Sequence, residues 1–261
     1  MPGFLQRLGM LRNALSGIDR DALTEARLDL AACLRQAARL GMHEGICNHF
    51  SAMVPGSDQL FLVNPLGYGF HEATASRLLV CDLEGNVVEG EGQVEATAFY
   101  IHARLHRRHA HARVAFHTHM PNATALAMLE GPPLSFAIQS ALKFYDRLAV
   151  DEHYNGLALD NAEGDRIAVA MGDKPIIFLK NHGVMVTAPS IAEAWDDLYY
   201  LERACEAELL ALATGRRLLP VLPGVAAHTA RQMRADAAEA ARLHLASVRR
   251  TLDREVPDYR H

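Results

Sequence analysis

The sequence predicts an α/β domain in which one sheet is covered by helices. Three observations predict it. Short apolar runs bounded by turn residues crowd residues 50–187. Helix-period patterns precede, interrupt and follow those runs. The length of 261 residues suits one large domain, or one domain with a helical appendage.

Residues 22–41 read as an amphipathic helix, because Leu23, Ala26, Leu30, Ala31, Leu34 and Ala38 recur at helical spacing and Gly41 supplies a stop. Phe50, Ala52 and Val54 then alternate with polar or small residues, and 60–63 is a short apolar run. Pro55-Gly56-Ser57-Asp58 between them is hairpin chemistry. Residues 78–81 and 87–88 form a second strand pair around the turn 83–86. Residues 93–108 read as a helix and 114–119 as a strand. Pro121 opens a helix to about residue 129, proline being tolerated in a first turn. Further strands are expected at 148–150, 167–170, 176–179 and 184–187. Ser190-Ile191-Ala192-Glu193 is a capping box for a long helix ending before Gly215. Gly215, Pro220, Pro223 and Gly224 mark a linker, and 225–253 read as a final Ala- and Arg-rich helix. The plan is an N-terminal extension over 1–20, a main domain over 21–215 and a C-terminal helical extension over 216–261.

Half the residues are hydrophobic and 22% are charged, which excludes disorder, collagen and a disulfide scaffold. The balance of 26 Lys+Arg against 31 Asp+Glu gives a net charge of −5, so nucleic acid and membrane surfaces are not expected partners. Cys33, Cys47, Cys81 and Cys205 show no C-x-x-C spacing and read as reduced thiols of a cytoplasmic protein. Arg7, Arg12 and Asp19 break the apolar runs of the first residues, unlike a signal peptide, and no run approaches the ~18 apolar residues of a membrane span. Against this ordinary background stand 14 histidines and only three lysines, Lys143, Lys174 and Lys180, a balance that favours metal chemistry.

Four signals bear on chemistry. In Val114-Ala115-Phe116-His117-Thr118-His119, alternation along a strand sends both imidazoles to one face, within reach of one ion or as a partly exposed pair at a strand edge. In Lys180-Asn181-His182-Gly183 an apolar strand runs into turn chemistry; His182 either completes a three-histidine set or donates to a backbone carbonyl. Glu95 lies in a first helical turn, where the helix end favours a carboxylate; it also suits a general base or a metal ligand. His102 and His106 are four apart, a ligand spacing, but the Arg104, Arg107 and Arg108 around them indicate a solvated basic helix face. His43, His49 and His71 could line a pocket, and none has a partner by spacing.

Taken together these pieces resemble the class II aldolase/adducin family. That family places H-x-H on one strand, a later histidine in N-H-G and a glutamate at a helix start upstream; here these are His117 and His119, His182, and Glu95, in the right order. Gly45-Ile46-Cys47-Asn48-His49-Phe50-Ser51 resembles an early substrate loop, Asn64-Pro65-Leu66-Gly67 a T-P-x-G loop, and 80–90 a near-complete family stretch. The resemblance covers roughly residues 25 to 215. It implies a three-layer α/β/α sandwich on a mainly antiparallel central sheet, and a homotetramer with sites at subunit interfaces.

The resemblance further implies a metal-dependent lyase for a small-molecule hydroxy or keto acid, working by retro-aldol cleavage or decarboxylation through a metal-stabilised enediolate. His117, His119 and His182 would hold one divalent ion, Zn²⁺ first, with Mn²⁺ or Fe²⁺ as alternatives. Glu95 would move a proton or serve as a fourth ligand. Asn48, Asn64 and Gly67 would orient substrate, and Tyr145 would act as an acid from a neighbouring subunit. Where the sugar-phosphate aldolases carry a phosphate-holding Ser-Ser pair, this chain has Gln93 and Val94, and valine cannot donate a hydrogen bond. A non-phosphorylated substrate and the adducin-like bacterial branch are therefore expected. The competing readings are a non-catalytic adducin-like interaction module and an Fe(II)-dependent oxygenase on the same ligands. A Schiff base at Lys180 ranks below them.

Overall fold

The Asp19 carboxylate accepts the N–H groups of Asp21 and Ala22, and so caps the helix α1 (Arg20–Arg39). The protein is described by a computed structural model covering Leu15 and residues 17–261. Most of the expected N-terminal extension lies outside the described residues. After α1 the chain builds β1 (His49–Met53), β2 (Leu60–Val63), β3 (Leu79–Asp82), β4 (Val87–Glu89), α2 (Ala96–Arg108), β5 (Val114–Thr118) and α3 (Pro121–Ala127). It continues through α4 (Gln139–Leu142), β6 (Leu148–Asp151), α5 (Asn161–Met171), β7 (Ile176–Leu179), β8 (Gly183–Ala188), α6 (Ile191–Leu212), α7 (Pro223–Ala235) and α8 (Ala237–Glu255).

The strands form one eight-stranded sheet in the order β4-β3-β2-β1-β5-β8-β7-β6. Every pair is antiparallel except β6–β7. A parallel pair needs a crossover, and α5 is that crossover. The strand expected at 167–170 is therefore not formed: Ile167 and Ala168 lie on α5, capped by Asp160 and stopped at Gly172. A four-residue apolar run has no readable period, and connection geometry decides it. Gly164 lets α5 approach α2, since a Cβ there would lie 2.2 Å from the Tyr100 carbonyl oxygen.

Alternation along the strands sorts side chains into two layers. Phe50, Leu62, Phe116, Phe178 and Val186 enter the core shared with α1, α3, α6 and α8. Ala115, Ile177 and Met185 face the other way, against Ile101 and Leu105 of α2 and Met171 of α5. The result is a three-layer α/β/α sandwich on a mainly antiparallel sheet. The single final helix expected at 225–253 is instead two, α7 and α8, broken at Asp236. Pro223, read as linker, occupies the first turn of α7. Leu245, Val248 and Leu252 of α8 join the core beside α1 and α6. No helix among the described residues is long and apolar enough to cross a membrane.

Candidate metal centre and adjoining cavity

The β1–β5 ladder pairs His49 with His117, and β5 pairs His117 with Met185 of β8. His117 therefore sits mid-sheet on the face covered by α2, and is buried. β5 ends at Thr118, whose hydroxyl donates to the Met42 carbonyl, so His119 lies one residue past the strand. His182 is delivered by the tight β7–β8 connection, in which Asn181 takes a left-handed φ of 57° and Leu179 pairs with Gly183. Gly183 is the second requirement of that turn. A Cβ there would lie 2.8 Å from both His119 Cδ2 and the Thr118 carbonyl oxygen.

The three imidazoles converge. Their ring centroids are 5.0 Å apart for His117–His119, 4.8 Å for His117–His182 and 4.9 Å for His119–His182. Three imidazoles on one tetrahedral ion, with Zn–N of about 2.1 Å, place their centroids about 5 Å apart. The available ligand atoms all lie within 4.8 Å of one another, the one group of at least three His, Cys, Asp or Glu meeting that test among the described residues.

Hydrogen bonding selects the free nitrogens. His117 Nδ1 donates to the Val184 carbonyl at 3.0 Å, and His119 Nδ1 donates to Glu44 Oε2 at 2.6 Å. Each Nε2 is left with its lone pair, and that of His119 is buried with no partner among the described residues. Such outer partners fix the tautomer of metal-binding histidines. Burial, with His182, His119 and His49 nearby, pushes His117 well below the ordinary imidazole range; burial and the same neighbours push His182 down to about 4. Both are neutral near pH 7, the state a metal requires. The donor set thus fits a borderline divalent cation.

Glu95 is the N-cap of α2, one residue before its first turn. Its Oε2 accepts the Thr97 hydroxyl and the Ala98 N–H at 2.8 Å, and lies 3.3 Å from His49 Nε2. Burial alone would raise its pKa, but His49, Thr97 and Ala98 bring it down to about 2. The carboxylate, turned onto its own helix end and His49, lies outside the close donor set.

His102 and His106 are not a solvated pair. Both are buried, and Ser51 joins them, with Oγ 2.6 Å from His102 Nδ1 and 2.7 Å from His106 Nε2. His106 Nδ1 donates to the Ala112 carbonyl, so Ser51 donates to His106 and accepts from His102. The helix turns the arginines outward and these imidazoles inward, an arrangement hidden by the local Arg density. His49 stacks on His117 at 5.9 Å and meets His102 edge-on at 6.0 Å. His43 stacks on Phe70 and, with His71, lines a separate hollow.

The remaining expected residues divide. Asn48 Oδ1 accepts the Glu44 N–H, and its Nδ2 is buried without a partner among the described residues. Asn64 uses both ends of its amide internally, on the Phe50 N–H and the Asn48 carbonyl. Gly67 takes a φ of 87° in the loop beyond, and its neighbour Leu66 reaches the cavity. Tyr145 does not line that cavity; its ring packs against Phe136. Lys180 donates to the carbonyls of Leu129 and Gly131, so its amine is occupied. Sequence reading did not single out Glu44, Tyr154 or Leu157, since none sits in a motif, and it gave Ile46, inside the early loop, no role of its own.

The cavity of about 280 Å³ beside the histidines is lined by Glu95, Thr97 and Tyr154 and by several apolar side chains. A larger cavity of about 510 Å³ lies beyond the far end of β8, where Lys143, Arg147, Asp196 and Asp197 pair with one another. It has no link to the histidines.

Residues 28–209 match the model of the Class II Aldolase and Adducin N-terminal domain. A Caulobacter vibrioides protein carrying an aldolase class 2 name is 34% identical over 94% of this chain and 96% of its own. Decarboxylase NovR of Streptomyces niveus is 31% identical over 71% of this chain and 69% of its own. The crystal structure of an aldolase II superfamily protein from Pseudomonas syringae superposes with a TM-score of 0.86 at 32% identity, covering 92% of this chain and 96% of that one.

Proposed function

This chain belongs to the class II aldolase and adducin N-terminal domain family, and from that premise we propose that it is a divalent-metal-dependent lyase. Its substrate is a small, non-phosphorylated hydroxy or keto acid, cleaved by a retro-aldol step or by decarboxylation. The observation that carries this reading is the convergence of His117, His119 and His182, with Nδ1 of His117 held by Val184 and Nδ1 of His119 held by Glu44. These three residues would hold the ion, Zn²⁺ by preference, Mn²⁺ or Fe²⁺ otherwise. A cation there supplies Lewis-acid polarisation of a substrate oxygen.

The protein's own groups supply the rest. Glu95 Oε2 takes up or returns the proton at the reacting carbon. Held at about 2 by His49, Thr97 and the Ala98 N–H, it is a weak acceptor while these bonds are in place, and their loosening would strengthen it. The unpartnered Asn48 Nδ2 is the amide donor left for substrate, since Asn64 is spent on the backbone. Gly67 sets the path of the Leu66 loop. The partner subunit's Tyr145 acts as a proton donor only in a homotetramer that brings it to this cavity. We divide the chain into the family domain over 21–215 and the C-terminal helices over 216–261, and assign it to the cytoplasm.

Metal analysis of untagged protein tests the reading. One equivalent of divalent ion is expected. His119→Ala loses it, and Glu95→Gln keeps it while losing turnover. Protein without stoichiometric metal overturns the proposal in favour of a non-catalytic interaction module. Bound iron with substrate-dependent oxygen consumption overturns it in favour of an oxygenase.

A further inference from the structure

The cavity beside the histidines combines two chemistries. Glu95, Thr97 and the three imidazoles are polar; Ile46, Leu66, Ile101, Leu157 and Ala158 are not. The Tyr154 ring, 6.2 Å from that of His182, belongs to both sets. Among the described residues, no lysine or arginine lines it.

Two cations, Lys180 and Arg166, share a small adjoining hollow with His182 and Tyr154, and both are engaged. Lys180 is tied to two carbonyls. Arg166 spans Asp151, at 2.8 and 2.7 Å, and Glu163, at 2.9 and 2.7 Å. The Leu66 N–H, at the cavity edge, donates to the Gln93 carbonyl at 2.8 Å. Among the described residues, a phosphate would find no lysine or arginine in the lining, and this backbone donor is spent.

The apolar side chains, by contrast, are unspent. Leu157 is 68% exposed, Tyr154 50%, Ile46 47% and Leu66 43%, and all four border one cavity. Scattered exposed apolar residues carry no message, but a group of them around a concave site marks a binding surface.

We propose that this cavity takes a hydroxy- or keto-carboxylate whose body is an uncharged aromatic or hydrocarbon group of about phenyl size, and that Leu66 and Leu157 select it. The inference rests on the lyase reading of the same histidines. The carboxylate end faces the imidazole cluster and the body lies against the leucines. Ile101 and Ala158 are the buried apolar part of the lining. With about 280 Å³ available, the site admits one compact ligand.

Calorimetric titration of the metal-containing protein with phenylpyruvate, pyruvate and dihydroxyacetone phosphate tests this without requiring turnover. Phenylpyruvate is expected to bind about tenfold tighter than pyruvate, the order that burial of a phenyl-sized apolar group provides. Dihydroxyacetone phosphate is expected to bind no tighter than pyruvate. Leu157→Asp and Leu66→Asp, both at exposed positions, are expected to bring the ratio of phenylpyruvate to pyruvate affinity down to about one, the added charge acting on both keto acids alike. Equal affinity for the two keto acids overturns the proposal. So does tightest binding of the phosphate, failure of both keto acids to bind, or a preference that survives both substitutions. If Leu157→Asp changes the oligomeric state on gel filtration while the preference persists, a second copy covers the patch and the proposal is again overturned. The preference without any carbon–carbon cleavage would sink the lyase reading alone; cleavage without the preference would sink this inference alone.

Discussion

Gly183 and His119 are in contact across the β8 start, so close that a single added Cβ would lie 2.8 Å from the imidazole Cδ2. The same Cβ would strike the Thr118 carbonyl oxygen at 2.8 Å. Neither neighbour can yield freely, because His119 is tied to Glu44 and Thr118 to Met42. Gly183→Ala is therefore expected to destabilise the fold by about 1–3 kcal/mol through overpacking. It should also displace His119 and weaken metal binding. Thermal unfolding and a competitive zinc titration check the two effects. An alanine variant with unchanged zinc affinity would show that the turn is not tuned to His119.

Glu44 is exposed yet holds the outer nitrogen of a buried-edge imidazole. Losing such a partner lowers metal affinity by about 10–100-fold in comparable sites. Glu44→Gln keeps the size and removes the charge, and is expected to fall in that range while the melting temperature of the metal-free protein stays put. A chelator competition assay measures it.

Burial lowers the His106 pKa to about 4, against about 6.5 for an unfolded histidine. The unfolded chain binds the extra proton between those values. The contribution is thus fully present above about pH 6.5 and is lost as pH falls toward 4, up to roughly 3 kcal/mol for this one group. His102 shifts in the same direction for the same main reason, burial. Denaturant titrations at pH 7.5 and pH 4.5 should show the loss, and His106→Gln should reduce it. Ser51→Ala leaves His102 Nδ1 and His106 Nε2 unpaired in the interior, at a cost of about 1–3 kcal/mol near pH 7.

Asp197 is buried on α6 and serves two cations. It accepts Arg147 at 3.1 and 2.6 Å and lies 3.2 Å from Lys143. Asp197→Ala removes the shared anion, leaving Lys143 with Asp196 and Arg147 without its carboxylate partner. A loss of about 3 kcal/mol is expected from breaking such a network. Asp197→Asn, which keeps an acceptor, should lose less. Chemical denaturation of both variants at low and high salt checks the charge dependence.

Lys180 spends its amine on the Leu129 and Gly131 carbonyls. Borohydride reduction in the presence of phenylpyruvate is expected to give no mass adduct, and Lys180→Met is expected to lose stability more than turnover. A trapped lysine adduct at this position would restore the imine mechanism.

Much of the architecture was legible along the chain. Ser190 and the Pro-Gly-Ser-Asp turn act through bonds only a few residues long, so their positions mark element ends wherever the chain goes. The run at 167–170 was misread because four apolar residues fit a strand or a helix equally, and only the parallel β6–β7 pairing required a crossover there. His102 and His106 were misread because the arginines beside them outweighed the buried stripe of Ala98, Ile101 and Leu105 that turns the same helix face inward.

The residue types that can hold a metal, their order, and the strand and turn that carry them were determined by the sequence alone, since His-x-His on a strand and Asn-His-Gly in a turn are local patterns. Which nitrogen of His117 and of His119 is free, the stacking of His49 on His117, and the apolar lining by Ile46, Tyr154 and Leu157 were decided by the tertiary structure alone. The physical reason is that ladder register and helix-to-sheet packing bring together side chains from segments far apart in the chain, and no local period encodes those distances.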